Sequence, residues 1–163
     1  MKILSFILPI LIFFPVALLQ FIFVPMIAID AIAPDIIMIL LVYYALKYGQ
    51  LYGTFLGSIF GLLFDIISGG ILGSAMFAKT ISGFIAGYFY NENKIETNIS
   101  TMFFVFIVFI TSTINSFFYL LLSSSEIKLT AAHLILEQGV LPGIYTAVIS
   151  IPVVIFNQKQ KTL

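Results

Sequence analysis

Residues 49–73 read GQLYGTFLGSIFGLLFDIISGGILG, and the fold turns on this stretch. Four glycines, Gly49, Gly53, Gly57 and Gly61, recur at four-residue spacing inside an apolar run, and a lone acid, Asp65, follows one turn later. In a membrane helix, a ridge without side chains lets a second helix approach to backbone distance. A carboxylate beside such a ridge is rare, because charge in or near hydrocarbon is costly. Each four-residue step turns about 400°, so the ridge drifts about 40° per turn around an ideal helix. That drift suits two crossing helices better than a long parallel seam. Gly83 and Gly87 form a second GxxxG in the next apolar run and offer the simplest internal partner; a helix of another protein is the alternative.

The rest of the chain has the same character. Its 163 residues are 61% hydrophobic and 9% charged, with a mean hydropathy of +1.18. Soluble domains carry about 25% charged residues, so the composition is that of an all-α polytopic membrane protein, a single transmembrane domain. Seven lysines balance seven acids, which excludes a basic nucleic-acid surface. Arginine, the usual bidentate ligand of phosphate, is absent. Without cysteine there is no disulfide, thiol nucleophile or Cys-ligated metal.

A span needs about 20 apolar residues. Six runs qualify as candidates, at about 3–24, 34–48, 51–68, 72–90, 99–122 and 140–156. The first follows a lysine as a signal peptide would. It is longer than a signal core, however, and residues 25–34 offer no clear small-x-small cleavage site before further membrane segments, so it reads as a retained helix. The second is short. Pro34 suits its first helical position and Asp35 the positive end of its dipole. With six spans and a cytoplasmic amino terminus, Lys2, Lys47, Lys94, Lys159 and Lys161 fall inside, Lys128 falls outside, and Lys79 lies within the fourth span. This lysine bias predicts that both termini are cytoplasmic.

The segment 124–138 is different. Ser123 with Glu126 forms a capping box, Gly139 suits a C-terminal cap, and Glu126, Thr130, His133 and Glu137 share one face. A short helix lying in the outer interface is expected. No internal repeat indicates a two-halves transporter.

Catalytic signals are missing. His133 and Glu137 make neither a metal site nor a triad, the serines have no base at a recognisable spacing, and no phosphate loop occurs. No catalytic residue, metal or cofactor is therefore expected. Asp65 has four readings: a proton or ion site, a partner for Lys79, a helix-end residue reaching interfacial water, or a contact for another protein.

With these residues assembled, the chain resembles the MreD family of bacterial rod shape-determining membrane proteins. The resemblance is carried by Pro34-Asp35 opening a helix, then Gly49, Gly53 and Gly57, then GLLFDIISGGILG from Gly61 to Gly73. QGVLPGIYTAV with Pro142 and the basic tail QKQK add to it. It implies a six-helix bundle similar to the substrate-binding subunits of energy-coupling-factor vitamin transporters. It also implies a non-enzymatic scaffold in the bacterial cytoplasmic membrane that binds MreC and supports lateral peptidoglycan synthesis. MreB, RodA and its transpeptidase would be indirect partners. Gly49, Gly53, Gly57, Gly61, Asp65, Gly73, Gly83 and Gly87 become candidates for helix packing or partner binding, and Pro34, Asp35 and Pro142 structural positions. Lys79 departs from the family, standing at a normally apolar position. The alternative reading is a solute-binding subunit of a vitamin transporter, which would need polar groups around an outward pocket. An intramembrane enzyme would need a nucleophile–base pair.

Overall fold

A computed structural model of the protein describes residues 2–29, 32–123 and 135–161. These residues form helices joined by short turns, with no β-strand among them. In order they are α1 (Lys2–Ile22), α2 (Val24–Ile27), α3 (Ile36–Tyr48), α4 (Gln50–Ser68), α5 (Ser74–Tyr88), α6 (Ile95–Ile99), α7 (Met102–Ser123) and α8 (Leu141–Lys161).

Apolar residues all around α3 put that helix at the centre. Ile37, Met38, Ile39, Leu41, Val42, Tyr44, Ala45 and Leu46 are all buried, and a helix apolar on every side belongs inside. It packs against α1, α4, α5, α7 and α8. Phe13 of α1, Leu56 and Phe60 of α4, Ala86 of α5, Ile107 of α7 and Val154 of α8 fill the space around it. The rings of Phe13 and Phe60 lie 4.9 Å apart.

Among the described residues, three helices are long and apolar enough to cross a membrane: Gln50–Ser68, Met102–Ser123 and Gln138–Lys159. Of the other candidates, α3 and α5 are shorter. With 13 residues in α3 and 15 in α5, these two rise only about 20 and 22 Å, against about 30 Å of hydrocarbon.

α4 and α5 form the tightest contact. A Cβ on Gly53 would lie 2.5 Å from the Gly83 carbonyl oxygen and 2.7 Å from Cβ of Ala45. One on Gly57 would collide with the Lys79 carbonyl, and one on Gly61 with the backbone of Ala75 and Met76. In return, Gly83 faces the Gly53 backbone and Gly87 faces Gln50. The glycine ridge is thus filled by the chain's own next helix. Gly49 is not part of it: with φ of 98° it forms the break between α3 and α4, and its N–H donates to the Ala45 carbonyl at 2.9 Å. Few residues other than glycine adopt that backbone. A second close crossing joins α8 to α7, where a Cβ on Gly143 would strike the Thr113 side chain.

Two sequence expectations need correction. Pro34 does not open α3. The helix starts at Ile36 with Asp35 as N-cap, because the cap goes to the residue whose side chain can accept a first-turn N–H. Gly139 does not end a helix, because the π-helical turn Ile135–Val140 runs directly into α8. Pro142 sits in the first turn of α8, where its missing N–H costs nothing. Residues 124–134, with Glu126, Lys128, Thr130 and His133, lie outside the described residues, as does most of the expected interfacial helix.

The α4–α5 contact generates a test. Gly57→Leu must drive α5 away from α4, and overpacking of this kind costs about 1–3 kcal/mol. We expect reduced accumulation in the membrane and a lower unfolding temperature in detergent, whereas Gly70→Leu, which faces open space apart from Ser68 and Tyr119 side-chain atoms beyond 3.4 Å, should change both far less. Equal behaviour of the two variants would contradict the close contact.

Candidate functional site

Asp35 gathers four helices. Its Oδ1 accepts the Met38 N–H at 3.0 Å and so caps α3. Its Oδ2 accepts both the Lys79 ammonium of α5 and, at 3.2 Å, the Asn115 amide of α7. Its own N–H donates to Thr146 Oγ1 of α8 at 2.9 Å. A fifth helix joins through Gln20 of α1, whose Nε2 donates to the Pro34 carbonyl at 2.9 Å and whose Oε1 accepts the Ile36 N–H at 2.8 Å. Lys79 is 2% exposed and Asp35 18%. The Phe64 ring centroid lies 5.3 Å from the Lys79 ammonium, adding a cation–π contact to the ion pair.

The physical reason for this convergence is solvation. A buried ammonium or carboxylate is tolerable only when paired and hydrogen-bonded, and α3 starts beside the Lys79 ammonium, which is almost wholly buried. Nearby hydroxyls are already tied to their own helices: Thr146 donates to Pro142, Ser82 to Ala78, Thr111 to Ile107 and Ser150 to Ala147. That is the usual fate of serine and threonine in a helix, and it differs from a hydroxyl activated by a base. Ser112 Oγ and Asn115 Oδ1 are buried with no hydrogen-bond partner among the described residues. A cavity of about 430 Å³ lies beside the junction, and Ser116, Tyr119 and Gln138 also line it. Among the described residues, no group of three acidic or histidine side chains is placed to hold a metal.

Asp65 departs from two of its four sequence readings. It does not pair with Lys79, which is taken by Asp35, and at 1% exposure it does not reach interfacial water. Its carboxylate instead caps the start of α5. Oδ2 accepts the N–H groups of Gly73 and Met76 at 2.9 and 3.1 Å, while Oδ1 accepts the Ala75 N–H at 3.0 Å and the Ser74 hydroxyl at 3.3 Å. The N-cap residue of α5 is Gly73, which has no side chain to satisfy those groups. Asp65 supplies the missing acceptor from the neighbouring helix, and its negative charge suits the positive end of the α5 dipole.

Apart from Gly49 at the α3–α4 break and Pro142 in the first turn of α8, the candidate residues fall into two sets. Gly53, Gly57, Gly61, Asp65, Gly73, Gly83 and Gly87 lie along the α4–α5 contact, and Pro34 and Asp35 lie at the junction. Sequence reading missed Lys79 as the partner of Asp35, and missed Gln20, Asn115, Thr146 and Gly143 altogether. A signal existed for the last: Gly143 and Ala147 repeat the small-residue spacing of the ridge.

An all-helical bundle with membrane-crossing helices and a charged junction that joins five of its helices is a polytopic membrane protein whose polar residues hold helices together. The chain matches the family of the rod shape-determining protein MreD over residues 1–160, and it belongs to that family. Comparison with curated proteins and with solved structures gives no match.

The junction predicts a compensating pair of variants. Lys79→Met should leave Asp35 buried and unpaired, a loss of about 3–5 kcal/mol for a buried pair. The unfolding temperature in detergent should fall accordingly. Adding Asp35→Asn removes the stranded charge and should restore much of that loss. If Lys79→Met alone unfolds like the natural protein, the junction does not hold the bundle.

Proposed function

We propose that the protein is a non-enzymatic membrane scaffold of the cell-elongation complex. In this reading it docks the single membrane helix of MreC in the bacterial cytoplasmic membrane and so supports cell-shape control and lateral peptidoglycan synthesis. MreB, RodA and its transpeptidase are reached through that contact. The observation that carries the reading is the family match across residues 1–160. The geometry adds that Gly53, Gly57 and Gly61 are filled by α5, so the MreC helix meets another face of the bundle. The vitamin-transporter reading receives no support from the comparisons.

Depletion in a rod-shaped host should round the cells, and tagged MreC should capture the protein from detergent extracts. Cells that keep their shape while requiring an external vitamin would overturn the reading, as would a complete lack of capture.

Topology belongs to the same proposal. We read α1, α3, α4, α5, α7 and α8 as six membrane segments with both termini cytoplasmic, from the lysine distribution. Single cysteines at Lys2 and Lys161 should resist impermeant reagents in intact spheroplasts, and one at Ser124 should react. Strong external labelling at Lys161 would contradict six spans.

A further inference from the structure

At the other end of α3, away from Asp35, lies a hollow of about 700 Å³ that the junction does not use. Its walls carry Tyr43, Lys47 and Tyr48 from the last turns of α3, and Glu92, Lys94 and Glu96 from the short turn Glu92–Lys94 and α6. The Lys47 ammonium sits 5.6 Å from the ring centroid of Tyr48 and 5.9 Å from that of Tyr43. Two ring faces thus fix its position while leaving its N–H groups available. No ion pair joins Lys47 or Lys94 to Glu92 or Glu96, although all four line one hollow.

We propose that this hollow binds the phosphoethanolamine headgroup of a membrane phospholipid. Two exposed lysines and two exposed glutamates that line one hollow without pairing with each other match a ligand that carries one phosphodiester and one primary ammonium. Lys47 and Lys94 donate to the phosphate oxygens, and Glu92 and Glu96 accept from the ammonium, all as charge-assisted hydrogen bonds. An anionic phospholipid without an amine would leave both carboxylates facing a phosphate. A choline headgroup has no N–H to donate. A wholly acidic or wholly basic peptide would satisfy only half of the charges.

Position favours a lipid. The hollow opens where α3 ends, and tyrosines gather at the boundary between hydrocarbon and water. Leu51, Tyr88, Met102 and Phe103, at the same end of α4, α5 and α7, are all exposed, Leu51 by 87%. They offer apolar surface for acyl chains beside the polar hollow. The net charge of the walls is zero, so recognition depends on the arrangement of charges and not on their sum.

The test uses the full-length protein, purified in detergent and offered equal amounts of phosphatidylethanolamine, phosphatidylglycerol and phosphatidylcholine. Retained lipid is read by native mass spectrometry. A roughly tenfold preference for phosphatidylethanolamine is expected, the effect of one charge-assisted hydrogen bond. Glu92→Gln with Glu96→Gln should erase the preference over phosphatidylglycerol, and Lys47→Ala with Lys94→Ala should lower retention of phosphatidylethanolamine itself. Displacement by soluble glycerophosphoethanolamine would show that the headgroup alone suffices; resistance to it would show that acyl chains contribute, and either result supports a phosphoethanolamine site. Equal retention of the three lipids by the natural protein, a result independent of how any variant folds, would overturn the proposal. So would a preference that survives both glutamate changes. Capture by MreC is a separate measurement, so failure here and failure of the scaffold reading are distinguishable.

Discussion

The backbone-to-backbone contact between α4 and α5 is the constraint on which the remaining structure depends. Only because Gly53, Gly57 and Gly61 lack side chains does α5 come close enough for Asp65 to reach its first N–H groups. The ridge and the acid act together: one brings the helices near, and the other satisfies the helix start that results. Lys79 follows from the same contact, since its own carbonyl rests against Gly57. The placement of α5 decides where its ammonium emerges, and it emerges at Asp35.

Both aspartates answer one demand of the bilayer. Unpaired backbone groups in hydrocarbon cost several kcal/mol each, so helix starts inside a bundle need acceptors from the protein. Asp35 caps its own helix and Asp65 caps its neighbour's. The price of these carboxylates is charge, and Lys79 offsets it at one of them, with Asn115 sharing the same oxygen. Polar contacts thereby hold α1, α3, α5, α7 and α8 in one relation.

Much of this was legible beforehand. Four-residue glycine spacing declared a close helix contact, and Gly83 with Gly87 offered the simplest internal partner, though spacing alone left a helix of another protein open as the alternative. The identity of Asp35 as a helix-start residue also followed from its neighbours. Other features were hidden for definite reasons. Gly49 continues the periodic spacing, yet its positive φ breaks the chain between two helices, and periodicity alone does not distinguish those roles. The pairing of Lys79 with Asp35 spans 44 residues and depends on how three helices are rotated, which spacing within one helix does not encode. The short length of α3 reads as a weak span, whereas its burial on every side marks an interior helix.

The separations along the chain also set an order of assembly. Asp65 accepts from N–H groups 8 to 11 residues downstream, so the α4–α5 hairpin can close as soon as it is made. Asp35 waits for Lys79, Asn115 and Thr146, which follow by 44, 80 and 111 residues. At about 5–20 residues per second of synthesis, the last of these arrives roughly 5–20 s later. During that interval the half-built junction is a carboxylate and an exposed helix start seeking partners inside the membrane. The hairpin is the early product of translation and the five-helix junction the late one, so a nascent chain that stops before α8 leaves the ribosome with its centre unlocked.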